Sequence, residues 1–185
     1  AYLTLVQRFP KSDFAPECLL RLGELEFDMA NFEEAIKFYI RVLDYPESNF
    51  YDLAMYKLAW SYNQQAEYAK AIEIFKRLIA HYDTQDASKR GQGHAGQLRV
   101  ESIKNIARRL ADSDWDGDGK NDPYSGNARA FKYLNNKSSI EREVLAAYAQ
   151  DLVERAETET YALAVDVYKT LIAGNIVDPE NPIYQ

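Results

Sequence analysis

An all-α array of antiparallel helix pairs is the fold the sequence predicts, and three observations predict it. Landmarks recur at one period: Gly23 and Ala59, Ala35 and Ala71, Tyr39 and Phe75, and Pro10 and Pro46 each lie 36 residues apart. Within each period the apolar residues form two successive stripes at helical spacing, separated by a short turn. Small residues at Gly23, Ala35, Ala59 and Ala71 let the paired helices approach closely, while Tyr39 and Phe75 fill the space under the next period.

Taken in order, residues 1–10 read as the tail of an earlier repeat, closed by Pro10 as Pro46 closes the next. The first full repeat spans 13–46. Leu19, Leu22, Gly23 and Phe27 form its leading stripe; after a turn at Ala30-Asn31, Ala35, Phe38, Tyr39 and Val42 form its second. Pro46 stops that helix. The second repeat, 49–82, restates the pattern with Met55, Leu58, Ala59 and Tyr62, then Ala71, Phe75 and Leu78. A loop is expected over 83–97. The third repeat, 98–136, opens with a helix over 98–111 that carries Ile103, Ile106, Ala107 and Leu110, and it holds an acidic insertion at 112–125 before a short helix around Ala128–Asn135. The fourth, 139–175, pairs helices at 139–156 and 160–173, with a turn longer than the others by about three residues, counted from Ala149 to Ala164. Residues 176–185, with Asp178-Pro179-Glu180-Asn181-Pro182, read as the boundary before another repeat. The chain starts at Ala1 inside an amphipathic pattern and reads as one domain excised from a longer protein.

These positions resemble the tetratricopeptide-repeat family. Leu22-Gly23, Ala35 and Tyr39 stand at its leucine-small, alanine and aromatic positions, as do Leu58-Ala59, Tyr62, Ala71 and Phe75, with Pro46 near its closing proline. The resemblance is strong over 1–82 and looser over 98–175. It implies a right-handed α-solenoid that acts in protein–protein interaction as a scaffold or adaptor, without catalysis. The 36-residue period is similar to that of bacterial envelope members of the Tol–Pal and outer-membrane-assembly kind, which implies a periplasmic or outer-membrane-associated location; a cytoplasmic one is the alternative. A rival reading is a helical accessory domain of an enzyme whose catalytic part lies elsewhere. The family register places the leading helices along a concave groove. Glu17, Leu20, Glu24, Phe27 and Asp28 would face it, then Leu53, Tyr56, Trp60, Asn63 and Gln64, and in the third repeat Lys104 and Arg108. Tyr56 and Trp60 lie one turn apart, an aromatic pair suited to gripping a peptide.

Composition narrows the partners. Of 185 residues, 46% are hydrophobic, too many for a disordered chain, and the net charge of −7 argues against a general nucleic-acid binder. No apolar run approaches the roughly 18 residues that would span a bilayer, so no direct membrane insertion is expected. One cysteine, Cys18, excludes an internal disulfide framework and reads as a small buried hydrophobe. Oligomeric state is not legible.

The most specific short motif is Asp114-Trp115-Asp116-Gly117-Asp118-Gly119-Lys120-Asn121-Asp122, which matches the DxDxDGxxD calcium loop. Alternate carboxylates converge on one hard cation, and Gly119 permits the sharp turn between them. Asp114, Asp116 and Asp118 would ligate by side chain, Lys120 by its carbonyl, and Asp122 directly or through water. Ser125 replaces the bidentate glutamate, so affinity should be weak, on the order of 10⁻⁴ to 10⁻³ M, and the role of Ca²⁺ structural. Asp112, water or nothing would complete the shell. Gly91-Gln92-Gly93-His94-Ala95-Gly96 fits a dinucleotide fingerprint, but the pattern before it is helical, not a strand, so it reads as a loop.

Overall fold

The computed structural model describes residues 1–84, 94–112, 126–134 and 138–175. The helices are α1 (Tyr2–Arg8), α2 (Ala15–Asp28), α3 (Phe32–Val42), α4 (Tyr51–Gln64), α5 (Tyr68–Thr84), α6 (His94–Leu110), α7 (Gly126–Tyr133), α8 (Ser139–Glu154) and α9 (Thr158–Asn175). No strand occurs among the described residues. Two compact units emerge, Ala1–Arg99 and Val100–Gln185, each with its own core.

In the first unit α2 pairs with α3 and α4 with α5, and α3 packs in turn on α4. The predicted landmarks form the core: Ala35, Tyr39, Ala59, Ala71 and Phe75 are all buried, as are Gly23 and Cys18. Gly23 lies against the Tyr39 ring so closely that a Cβ there would sit 2.5 Å from Cε1. The two inter-pair turns repeat to the atom. Ser12 Oγ accepts from the Phe14 amide at 3.3 Å, and Ser48 Oγ accepts from the Phe50 amide at 3.2 Å, 36 residues later. Tyr45 ties the turns together by donating its hydroxyl to the Pro10 carbonyl at 2.6 Å.

The turns within pairs also share a geometry. Ala30, Ala66 and Ala156 take left-handed backbone angles, with φ of 61°, 57° and 57°. In the first two the following amide reaches back five residues, Asn31 to the Glu26 carbonyl at 2.8 Å and Glu67 to that of Tyr62 at 2.9 Å; in the third the Glu157 amide donates to Thr160 Oγ1 at 3.3 Å. This closes the helix end and reverses the chain. The third such turn corrects the expected long connection in the fourth repeat: α8 ends at Glu154 and α9 begins at Thr158, no later than in the other pairs. The three additional residues lengthen the start of α9, where Ala164 is the seventh helical residue and Ala35 is the fourth of α3.

The loop expected over 83–97 is also shorter than its range, because α5 runs to Thr84 and α6 begins at His94. Arg99 fixes this junction with a two-point bond to Asp83, at 2.8 and 3.2 Å. The Gly91–Gln92–Gly93 segment lies outside the described residues, and α5, the element before it, is a helix.

In the second unit α8 packs on α9, and α7 on α9. Ser138 opens α8 with a reciprocal cap. Its hydroxyl accepts from the Glu141 amide at 3.1 Å, while the Glu141 carboxylate accepts from the Ser138 amide at 3.3 Å. Buried Asn127 of α7 joins three elements: it accepts from the Tyr148 hydroxyl at 3.1 Å and donates to the Leu163 carbonyl and the Asp166 carboxylate, both at 3.1 Å. Burial raises the Tyr148 phenol to a pKa of about 12, against the opposing pull of Arg129 and Arg155. Among the described residues no helix is long and apolar enough to cross a membrane.

Candidate functional site

The leading helices α2 and α4 lie side by side in the first unit, as the repeat register requires. Glu24 and Lys57 meet across them at 4.0 Å. The Lys57 ammonium also stands 5.9 Å from the Phe27 ring centre, and Phe27 packs edge-on against Phe32 at 5.3 Å. Phe27 is thus a half-buried aromatic surface roofed by a cation, not a bare one. Glu24 in turn accepts from Arg21 at 2.8 Å, so the acidic wall of the groove is partly neutralised from its own helix.

Tyr56 and Trp60 are both half-buried on α4, with ring centres 6.4 Å apart and planes at 67°. Tyr56 leans its other side on Phe75 of α5, at 5.9 Å. The core therefore anchors one ring, which fixes the second. Such a pair presents an edge-to-face aromatic surface at low entropy cost to a ligand, since little rotamer freedom remains to lose.

Two expected groove residues do not face it. Asn63 is only 5% exposed, because it continues the buried Met55–Ala59 stripe at four-residue spacing. Leu20 is fully buried for the same reason, lying one turn after buried Pro16. Glu17 and Leu53 are half-buried, and Asp28 and Gln64 are exposed at the helix ends. Lys57 was not read as a groove residue. The signal was there in its placement next to Tyr56, but its engagement with Glu24 depends on how two helices meet.

Lys104 and Arg108 belong to the second unit and are described there. They stand exposed one turn apart on α6, on one wall of a cleft of about 380 Å³. Its floor is Ile103, Ala107 and Ala147, and its other wall is Asp151 and Glu154 of α8. Those carboxylates are already engaged, Asp151 with Arg155 at 2.9 Å and Glu154 with the Gln150 amide at 3.0 Å. Sequence reading missed this acidic wall, although Ala147, Gln150, Asp151 and Glu154 recur at helical spacing.

The calcium-loop residues Asp114, Asp116, Asp118, Lys120 and Asp122 lie outside the described residues. Their flanks do not. Buried Arg129 of α7 donates to the Asp112 carbonyl at the end of α6, and the Asp112 carboxylate is 3.1 Å from Arg109. That carboxylate is thereby held by a cation of its own helix. Among the described residues no cluster of three or more His, Cys, Asp or Glu is placed to hold a metal.

Small residues at helix crossings, a fixed period and side-by-side leading helices define a helical-repeat interaction module. Residues 16–49 and 53–84 each match the tetratricopeptide-repeat family, whose repeats are generally non-catalytic modules for protein–protein binding. No curated protein matches the chain.

Proposed function

We propose that the chain is a scaffold or adaptor that grips a protein partner through an extended or helical peptide laid along the α2–α4 groove. The observation that carries this reading is the Tyr56–Trp60 pair, half-exposed on a leading helix and braced from beneath by Phe75. Phe27, under the Lys57 ammonium, supplies a second contact. Lys104 and Arg108 offer two cations to acidic residues of a peptide bound in the second unit. A random peptide display library selected on the 185-residue chain tests the groove. Trp60→Ala should weaken the enriched peptides about tenfold or more while the fold is retained, because buried aromatic anchors dominate such contacts. Enriched peptides that bind Trp60→Ala as tightly as the parent would place recognition elsewhere.

The proposal extends to the acidic insertion at 112–125, which holds one structural Ca²⁺, and to the cell envelope of a bacterium as the setting. The DxDxDGxxD spacing supports the first, and so does the clamp of Arg129 on Asp112, which fixes one end of the insertion to the helix at its other end. The 36-residue period and the weak calcium class support the second. Thermal unfolding of the chain in millimolar calcium against chelator tests the site. An ion present at tenfold its dissociation constant should stabilise the fold by about 1.4 kcal/mol. The gain should vanish in Asp116→Ala. An unchanged melting temperature, with no heat of binding by calorimetry, would leave the insertion a solvated acidic segment.

A further inference from the structure

Among the described residues no ion pair crosses the cleft of about 380 Å³ in the second unit, although its walls carry opposite charges. On α6, Lys104 and Arg108 are exposed and have no partner among the described residues. On α8, the Asp151 carboxylate turns to Arg155 at 2.9 Å, so its charge is already matched. Glu154 accepts from the neutral Gln150 amide at 3.0 Å and keeps its charge. The cleft therefore offers two positive charges on one wall and one unmatched negative charge on the other. Like charges one turn apart on a helix repel, and among the described residues nothing relieves the Lys104–Arg108 pair.

The spacing of these charges specifies what would bridge them. Four residues of α6 advance about 6 Å, so Lys104 and Arg108 present two cations at about that separation. In an extended peptide, side chains two residues apart share a face and lie about 6.6–6.8 Å apart, while the residue between them points the opposite way. A triplet of acid, base and acid laid along the cleft thus sets its two carboxylates against Lys104 and Arg108 and its cation against Glu154. The floor suits a main chain, because Ala107 and Ala147 are small and let it come close. The Gln150 amide donates to Glu154, which leaves its carbonyl oxygen to accept from a peptide amide.

We infer that this cleft recognises an extended acid–base–acid triplet, Glu or Asp on either side of Lys or Arg, in a partner protein. The inference rests on the reading that Lys104 and Arg108 engage a peptide's acidic residues, and it adds the middle cation and the extended backbone. The occupant comes from another protein. In this chain the pattern occurs once, as Glu141-Arg142-Glu143, and that copy is wound into α8, with Glu141 held in the Ser138 cap. A second copy of the chain therefore has no extended triplet to offer.

Two blocked pentapeptides of identical composition test it, Ser-Glu-Lys-Glu-Ser and Ser-Glu-Glu-Lys-Ser, each titrated into the ¹⁵N-labelled 185-residue chain at low ionic strength, where charge contacts are least screened. The alternating peptide should give saturable shifts at the amides of Lys104, Arg108 and Glu154. It should bind about threefold tighter than its isomer, which cannot set both carboxylates on one face with the cation on the other. Ser-Glu-Gln-Glu-Ser, which lacks the cation, should bind about threefold more weakly than the alternating peptide on the parent and equally well on Glu154→Gln. Glu154 is exposed, so that variant should keep the parent circular dichroism. Equal affinities of the two isomers would overturn the inference; if Lys104→Glu then abolishes both, the two-cation reading still stands. A threefold gap that survives in Glu154→Gln would also overturn the inference, by placing the cation elsewhere. Shifts absent for every peptide up to about 10 mM, a range that reaches complexes weaker than the millimolar class, would overturn the inference and the two-cation reading together.

Discussion

Replacing Gly23 with alanine sets helix propensity against packing, and the structure says which wins. In an ordinary helix interior the change gains about 1 kcal/mol, because glycine loses more backbone freedom on folding. At this site the new Cβ would lie 2.5 Å from Cε1 of Tyr39, 2.7 Å from Cδ1 and 3.0 Å from Cζ. All three are ring atoms of a fully buried side chain, so no flexible end can swing aside. The α2–α3 pair must open, and overpacking of that kind costs about 1–3 kcal/mol. The balance is a net loss of about 1 kcal/mol, and more for Gly23→Val. Urea unfolding followed by Trp60 fluorescence in a Trp115→Phe background reads the first unit by itself. The midpoint should fall at unchanged slope. Tyr39→Leu in the Gly23→Ala background should recover part of the loss by removing the ring. In the next pair Ala59 already stands at this position opposite Phe75, so a Cβ is tolerable where helices are spaced for it. A raised midpoint in Gly23→Ala would refute the argument, because it would show the ring yielding freely.

Ala30→Gly and Ala66→Gly should each stabilise the chain by about 0.5–1 kcal/mol in the same assay, since alanine is strained at φ of 61° and 57° and glycine is not. Burial raises the pKa of Tyr39, Tyr82 and Tyr148, the last to about 12, above an unfolded value of about 10, so the folded state holds its phenolic protons longer. Stability from these groups is therefore full below about pH 10 and is lost as pH rises through the folded values. Melting temperatures from pH 8 to 12 should fall more gently in Tyr39→Phe, which at neutral pH should cost under about 1 kcal/mol because the buried hydroxyl makes no hydrogen bond among the described residues. Asn127→Ala should cost about 1–3 kcal/mol by leaving the Tyr148 hydroxyl and the Leu163 carbonyl without this partner, measured by thermal unfolding.

The fold was legible because its determinants are local and periodic. Gly23 against Tyr39 and Ala59 with Phe75 are small–large pairs whose spacing in sequence already fixes which helices cross. What escaped was set by neighbours or by rare backbone states. Ala30, Ala66 and Ala156 adopt angles that alanine disfavours, so residue type alone points away from them. The extra residues between Ala149 and Ala164 look like a longer turn, because sequence distance does not say which side of a helix boundary absorbs them. Asn63 was assigned to the groove by the family register, whereas four-residue spacing from Met55 and Ala59 puts it inside. Lys57, Asp151 and Glu154 acquire meaning only once partner helices stand opposite.

The insertion between α6 and α7 bears on how quickly this chain can assemble. Elsewhere the paired helices are joined by three residues, as between Glu154 and Thr158, whereas fifteen separate Leu110 from Gly126. Closing a connection of that length in place of three costs about 1.4 kcal/mol more in chain entropy, a modest sum that grows only logarithmically. A penalty of that kind falls on the rate at which Arg129 of α7 reaches Asp112 at the end of α6 more than on the final stability. The Arg129–Asp112 bond spans this interval, and it can form only after the long connection has closed. The α2–α3 and α4–α5 hairpins carry no such delay, so the first unit should collapse ahead of the second, whose assembly then waits on the acidic insertion.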